Sequence, residues 1–307
     1  MKNHHVITLS LLFLTALLFA STGVVIKFLL RELTPFTVAF FRFAIASVCI
    51  LPFFLRYKKR TFNFSLLPIL LLSTINVAFF AIGIAKTIPN AAGIIYTGSP
   101  LIVLLISHFF LGEPISKRTV FGIIIGLIGT LSILILPLIR SNELLFGSTI
   151  GNLIVFIACL SWSGYTAGSR YLSSHHKNTY SPFYLMQLSI FQSTFILFFC
   201  MMATTPVSAI AKAFTLTNLL LLAYLGIVAT VAAYIFFQWL IKHASATTAS
   251  LNTYIQSPLG FLLAWMILGD QLSWEFIVGT AITFCGVYLA TSGGISKKDL
   301  STILPQE

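Results

Sequence analysis

Residues Lys86 to Glu113 read KTIPNAAGIIYTGSPLIVLLISHFFLGE, and this segment occurs a second time in the chain. The imperfect copy runs from Lys242 to Asp270 and reads KHASATTASLNTYIQSPLGFLLAWMILGD. Each copy starts with lysine, carries Tyr-x-x-Ser-Pro near the middle of an apolar run, and stops at Leu-Gly-acid. Because self-similarity is the signature of a repeated structural unit, the chain is predicted to consist of two related halves.

The composition indicates a membrane protein. Hydrophobic residues make up 58% of the 307 residues and charged residues only 8%, whereas a soluble domain carries about 25% charge. One crossing needs about 20 apolar residues, so the chain can supply about ten. The net charge of +11 comes from Lys and Arg in short loops, the pattern that orients membrane proteins. We therefore expect a lipid bilayer as partner and no nucleic acid.

The apolar segments predict an all-α integral membrane protein with ten transmembrane helices. The predicted spans are 6–28, 34–55, 65–85, 91–112, 119–139, 147–169, 180–203, 216–240, 245–268 and 274–293. The first span also has features of a signal peptide. An uncleaved helix is favoured, because the apolar run continues to Leu30 and has a counterpart in the region from Ser161 to Leu172.

The distribution of basic residues predicts the orientation. Twelve of the 18 Lys and Arg residues fall on one side of this arrangement and five on the other, with Arg42 inside a span. By the positive-inside rule both termini are predicted to be cytoplasmic, in a cell (inner) membrane. Five spans in each half place the second half upside down, an inverted repeat. The predicted units are 1–140 and 147–295, followed by a cytoplasmic tail, 296–307.

The paired Ser-Pro motifs are predicted hinges. Proline lacks an N–H, so Pro100 leaves the carbonyl of Tyr96 without a helical partner, and Pro258 does the same to Tyr254. Both prolines lie near the middle of their spans, where free backbone groups need cover from protein or a water-filled cavity. Two such points mark a central site and a place to bend. The alternative is a pair of structural kinks that never touch substrate.

Other repeated features are interpreted as structural. The glycines at 122, 126 and 129 form a stripe that allows close helix packing, with a counterpart at Gly279 and Gly286. The Leu-Gly-acid endings are typical of helix ends. The four cysteines fall inside apolar runs without disulfide or zinc spacing.

The combination of motifs resembles the drug/metabolite transporter superfamily, specifically its EamA-type members. The resemblance covers about 8–293 and includes the two Ser-Pro and Leu-Gly-acid copies, the glycine-rich closing helices, and RELTPFTVAFFR from Arg31 to Arg42. It implies ten helices in two inverted five-helix repeats, alternating access, and a central cavity walled mainly by helices 1, 3, 4, 6, 8 and 9. One departure is Ala20-Ser21, where the family often has a small residue before Trp; Ser161-Trp162 keeps that pattern.

Polar and aromatic side chains on these helices are the candidate substrate-binding residues, because such groups are costly inside a membrane and often functional. They are Asn76, Tyr96, Ser99, Trp162, Tyr165, Tyr234, Gln238, Asn252, Tyr254 and Gln256. Together they would suit a small, polar, partly aromatic or zwitterionic solute. For each one, an interhelical hydrogen bond is an equally weighted alternative.

Two basic side chains within spans have competing interpretations. Arg42 could attract an anionic substrate, although a structural role is favoured, in which it snorkels to the outer interface or caps neighbouring carbonyls. His108 is a candidate proton relay, with a satisfied core histidine as the alternative. All seven acids fall in loops, at helix ends or in the tail, so a carboxylate proton carrier is not evident.

A secondary transporter of a small metabolite is therefore the leading functional hypothesis, with export of an amino acid or related compound first. The alternative is an importer or exchanger of a nucleotide-derived or cofactor-like metabolite. A membrane protein with a structural or sensory role is a different class. We expect no enzyme activity, because no acid/base pair or metal cluster lies at membrane depth. No cofactor or metal is expected, and a homodimer is left open.

Overall fold

The computed structural model describes residues 2–56, 63–87, 89–113, 115–141, 148–175, 180–268 and 274–293, and every regular element in these ranges is helical. The α-helices are α1 (Lys2–Leu29), α2 (Pro35–Leu55), α3 (Leu67–Lys86), α4 (Pro89–Tyr96), α5 (Ser99–Leu111), α6 (Lys117–Ser141), α7 (Thr149–His175), α8 (Pro182–Thr204), α9 (Val207–Ala211), α10 (Leu216–Ala223), α11 (Ala233–His243), α12 (Ala246–Ser250), α13 (Asn252–Leu268) and α14 (Trp274–Gly293). A π-helix, Tyr224–Ala232, joins α10 to α11, and 3₁₀ turns occupy Phe64–Leu66 and Lys212–Phe214.

Within the described ranges, seven helical segments are long and apolar enough to cross a membrane. They are Val6–Ile26, Pro35–Leu55, Leu67–Lys86, Ala92–Leu111, Thr149–His175, Pro182–Thr204 and Leu216–His243, and Phe276–Ser292 is a shorter apolar helix. Repeated segments of this length and hydropathy define a multi-pass membrane protein.

The starts of several helices follow directly from local sequence. Thr34 caps α2 by accepting from the backbone N–H of Thr37 at 3.3 Å, and Pro35 follows at the first helical position. Ser181 and Pro182 repeat this arrangement at α8. A capping hydroxyl satisfies a free N–H, and proline has no N–H to satisfy, so both residues favour these boundaries.

Glycines bring α6 and α14 into close contact. A Cβ added at Gly129 would lie 2.5 Å from the backbone nitrogen of Thr283, and Gly122 and Gly286 leave equally little room against α14 and α6 respectively. The predicted packing role of the glycine stripe is therefore confirmed. The other main helix pairs are α3 with α7, α1 with α13, and α2 with α8.

The two Ser-Pro motifs differ in their backbone. In the first copy the helix is interrupted at Thr97 and Gly98, and Pro100 lies in the first turn of α5. In the second copy Pro258 lies inside the continuous helix α13. Pro258 is therefore a mid-helix proline, whereas Pro100 is a first-turn proline.

The interruption in the second copy falls earlier in the chain. Ser245 caps the short helix α12 by accepting from Thr248 N at 2.9 Å. Leu251 then closes α12 with a 3₁₀-type bond to the Thr248 carbonyl at 3.2 Å. The Ser245 cap thus begins α12 and the turn at Leu251 ends it before the chain reaches Pro258, and α13 continues through the proline.

Gly112 ends α5 in the left-handed conformation, with φ of 66°. Its N–H and that of Glu113 both donate to the Ser107 carbonyl, as expected for a glycine-terminated helix. The prediction that the first Leu-Gly-acid motif ends a helix is confirmed. Its counterpart at Gly269 and Asp270 lies outside the described residues.

Candidate functional site

Six rings from four helices form an aromatic cluster in the core of the bundle. Trp162 on α7 stacks on Phe237 of α11, with ring centres 5.0 Å apart and planes at 27°. Tyr234 lies 5.9 Å from both Trp162 and Phe19 of α1. The full set, called the aromatic cluster below, is Phe19, Phe43, Trp162, Tyr165, Tyr234 and Phe237.

A hydrogen-bonded side-chain group borders this cluster. Gln238 Nε2 donates to the hydroxyl of Tyr165 at 2.9 Å, and the same hydroxyl shares a 3.2 Å bond with Ser189 of α8. All three side chains are buried. Gln238 Oε1 has no partner among the described residues, which leaves an unused hydrogen-bond acceptor in the core.

A second polar group joins the two halves of the chain. Asn76 Nδ2 donates to the hydroxyl of Tyr96 at 2.6 Å and to the Ala158 carbonyl at 2.9 Å. Ser99 and Ser163 share a bond of 2.9 Å between α5 and α7. Asn76, Tyr96 and Ser99 thus make interhelical hydrogen bonds in this conformation.

The remaining candidates lie along α13. Tyr254 is fully buried, and a Cβ on Gly126 would lie 2.7 Å from its ring. Its hydroxyl has no described partner. Asn252 is buried and accepts from the hydroxyl of Thr253 at 3.3 Å, and Gln256 is half-buried.

The predicted hinges and proton relay are placed as follows. Pro100 and Pro258 are both buried, with the different backbone settings given above. His108 is exposed in the last turn of α5, where its Nδ1 lies 3.1 Å from the carbonyl oxygen of Glu113. This contact places the ring at a helix end.

An ion pair closes one end of the bundle beyond these groups. Glu113, just after α5, accepts from Arg170 Nε of α7 at 3.0 Å. Arg170 Nη1 also donates to the carbonyls of Ile241 and Lys242 at 2.9 and 3.1 Å. One guanidinium therefore ties together α5, α7 and the end of α11.

A separate cavity of about 250 Å³ lies between α1, α13 and α14. Its lining is almost entirely apolar: Leu9, Phe13, Ile255, Phe284, Val287 and Tyr288. Phe13, Phe284 and Tyr288 are exposed, so this space lacks the polar groups that recognise a polar solute.

The structure thus brings four of the predicted residues together: Trp162, Tyr165, Tyr234 and Gln238. Sequence reasoning missed Phe19, Phe43 and Phe237, because phenylalanine is too frequent here, with 29 in the chain, to stand out. Phe237 does follow Tyr234 by one helical turn, a spacing that could have indicated a shared face. Ser189 was missed because the seventh predicted span, 180–203, which corresponds to α8, was not counted among the cavity helices.

The class of protein follows from the apolar helical bundle together with its similarity to known proteins: it is a membrane transporter. Residues 6–135 and 149–292 match the model of the EamA-like transporter family. The chain belongs to the EamA-like transporter family, which confirms the resemblance drawn from the repeated motifs. It is therefore embedded in a membrane and handles a small-molecule solute.

Individual relatives cover nearly the whole chain. A protein of Clostridium kluyveri named "Uncharacterized transporter" is 25% identical, covering 94% of this chain and 94% of its own length. A protein of the same name from Archaeoglobus fulgidus is 27% identical, over 92% and 96%. A solved crystal structure aligns with a TM-score of 0.74 at 18% identity, covering 94% and 97%, and shares the fold.

Proposed function

We propose that the chain is a secondary carrier that moves a small metabolite by alternating access around the aromatic cluster. Its ten membrane crossings are seven long apolar segments, the shorter Phe276–Ser292 helix, α6, and α12 with α13. They are arranged as two inverted five-helix repeats, 1–140 and 147–295. The protein lies in the cell membrane with both termini cytoplasmic.

The observation that carries this proposal is a polar and aromatic interior built from both family-matched segments. Phe19 and Phe43 come from the first segment, and Trp162, Tyr165 and Phe237 come from the second. A carrier site between two repeats can be exposed to either side when the repeats rock against each other. Rocking supplies access without a nucleotide-driven step, and no P-loop pattern occurs in the sequence.

The Glu113–Arg170 ion pair supports the alternating part of the proposal. In the proposed orientation it lies at the cytoplasmic end, where it connects α5 of the first repeat to α7 and α11 of the second. A carrier that opens to the cytoplasm must separate these elements. The ion pair therefore belongs to the conformation in which the site is closed to the cytoplasm.

The buried amide of Gln238 and the rings beside it favour a particular solute chemistry. Gln238 Oε1 is unpartnered among the described side chains, and it lies next to stacked rings. This combination suits a small solute with an N–H donor and an apolar part. An amino acid or related compound, moved outward, is the first candidate.

Purified protein in liposomes loaded with labelled amino acids tests the proposal. We expect efflux that depends on the protein and falls at least tenfold in Gln238→Ala. The matched control Leu160→Ala changes an exposed residue of α7 and should retain wild-type efflux. Absence of protein-dependent flux for every amino acid, nucleoside and cofactor tried would contradict the carrier function.

A further inference from the structure

Arg42 is a cation held within the membrane-spanning part of α2. At 1.5 Å per residue it lies roughly 10 Å along the helix from Pro35. Its Nε donates to the Thr230 hydroxyl, and its Nη2 donates to the Ala229 carbonyl at 3.2 Å. Both acceptors belong to the π-helix, whose Gly226 packs directly against α2 at Arg42.

These hydrogen bonds leave the charge of Arg42 uncompensated. A hydroxyl and a carbonyl are neutral acceptors, so they satisfy N–H groups without cancelling the positive charge. Glu113 pairs with Arg170 and Glu32 accepts from Asn218, and among the described residues no carboxylate lies within ion-pair distance of Arg42. An unpaired charge at membrane depth is costly and commonly marks a substrate pathway.

One edge of the guanidinium remains available. The bonds to Thr230 and Ala229 use the Nε and Nη2 edge, whereas Nη1 makes no hydrogen bond with a described residue. Arginine presents its N–H groups as a planar fork that fits a carboxylate with two parallel bonds. Nη1 and the second N–H of Nη2 can therefore donate to a carboxylate while the bonds to Thr230 and Ala229 stay in place.

The position of Arg42 relative to the aromatic rings indicates that such an anion would also have an apolar part. Its Cζ lies 5.7 Å from the ring centre of Phe43, and that ring lies 6.5 Å from Tyr234. Tyr234 follows Thr230, the hydrogen-bond partner of Arg42, by about one helical turn. The charge thus borders the aromatic cluster.

We propose that Arg42 anchors the carboxylate of the transported solute while the aromatic cluster receives the apolar body of the same molecule. This inference rests on the proposed carrier function and narrows its substrate to carboxylic acids with an apolar body. The π-helix positions Thr230 and Ala229 to hold the guanidinium in place before the solute arrives. Holding a side chain in its bound geometry lowers the entropy cost of binding.

Thermal unfolding of the full chain in phosphatidylcholine nanodiscs tests the proposal. The probes are acetate, hexanoate, phenylacetate and indole-3-acetate, each compared with its primary amide. We expect the acids with larger apolar bodies to raise the unfolding midpoint, because a ligand that binds only the folded state stabilises it. The matched amides should leave the midpoint unchanged.

Variants at Arg42 assign the effect to this side chain. Arg42→Gln should abolish the acid-induced shift, and Arg42→Lys should weaken it, because an ammonium lacks the planar fork. Arg56→Gln, at the exposed end of the same helix, is the control and should keep the full shift. If Arg42→Gln fails to fold, Thr230→Val should raise the acid concentration needed for half the shift at least fivefold.

Four outcomes would overturn the proposal. They are equal shifts by acids and amides, an undiminished shift in Arg42→Gln or Thr230→Val, no shift with any acid, and stabilisation by phosphatidylglycerol in place of the acids. The last would assign Arg42 to a lipid headgroup. Transport of uncharged solutes without any effect of the acids would refute the Arg42 site and leave the carrier function intact. Binding of the acids without flux of any solute would refute the carrier function and leave the binding site at Arg42 intact.

Discussion

Arg170 holds the carboxylate of Glu113 at 3.0 Å and, with the same guanidinium, donates to the carbonyls of Ile241 and Lys242. Glu113 belongs to the first family-matched segment and Arg170 to the second. The two side chains are 25% and 20% exposed respectively, so water screens the pair only partly. The contact therefore joins the two family-matched segments at one end of the bundle.

Loss of this ion pair should loosen that end. Arg170→Gln removes the charge pair and both carbonyl bonds, so we expect the free energy of unfolding to fall by about 1–2 kcal/mol. Glu113→Gln keeps the carbonyl bonds and should cost less. Thermal unfolding in detergent measures both, and the swap Glu113→Arg with Arg170→Glu should recover only part of the loss.

The same variants test whether the ion pair restricts access of water-soluble reagents to this end of the bundle. In a background without native cysteines, Ser107→Cys places a thiol at a buried position of α5. We expect an impermeant maleimide to label this thiol faster when Arg170→Gln is added, and no change when Arg56→Gln is added. Equal labelling rates in all three proteins would show that the ion pair does not restrict this end.

Tyr165→Phe tests the buried hydrogen bond to Gln238. Removing the hydroxyl leaves Gln238 Nε2 without its acceptor in the core, which costs about 1–3 kcal/mol. We expect a lower unfolding midpoint together with slower transport, measured in detergent and in liposomes. Tyr171→Phe, on the same helix at an exposed position, should change neither quantity. A similar loss in Tyr171→Phe would show that the effect of Tyr165→Phe does not come from its buried hydrogen bond.

Gly129→Ala tests the close packing of α6 on α14. The added methyl would lie 2.5 Å from the backbone nitrogen of Thr283, and backbone cannot turn aside as a side chain can. Overpacking of this kind costs about 1–3 kcal/mol. Gly23→Ala meets no atom within 4 Å and should be tolerated. Equal midpoints for the two variants would argue against this helix contact.

The two prolines should respond differently to alanine. Pro258→Ala restores an N–H inside α13, where it can donate to the Tyr254 carbonyl, so we expect a higher unfolding midpoint. Pro100→Ala changes a first-turn position that needs no N–H and should have little effect on stability. If Pro258 is a hinge, the stabilised variant should transport more slowly. Unchanged transport would leave Pro258 a structural kink.

Local sequence was a good guide wherever a boundary depends on neighbouring residues. Thr34 with Pro35, and Gly112 with its left-handed φ, end or start helices through backbone hydrogen bonds within one turn. The packing role of the glycine stripe was also predictable, because glycines that recur on one helix face allow a neighbouring helix to approach closely. The repeated motifs were specific enough to indicate the family that the comparisons then confirmed.

The site was harder to predict, because its members are chosen by long-range packing. Trp162 and Phe237 stack although they are far apart in sequence, and the spacing of Phe237 from Tyr234 does not indicate Trp162 as its partner. Glu113 was interpreted as a structural helix end, and only the fold showed Arg170 beside it. The helix break in the second copy lies at Leu251, ahead of Pro258, which is inside the continuous helix α13.

The sequence by itself determined the membrane environment, the repeat and the family, because these depend on composition and on motifs read along the chain. Only the tertiary structure decided which polar groups meet. Gln238 reaches Tyr165, Arg42 reaches the π-helix, and Arg170 reaches Glu113. The physical reason is that each contact joins helices distant in sequence, and its partner is set by how those helices pack.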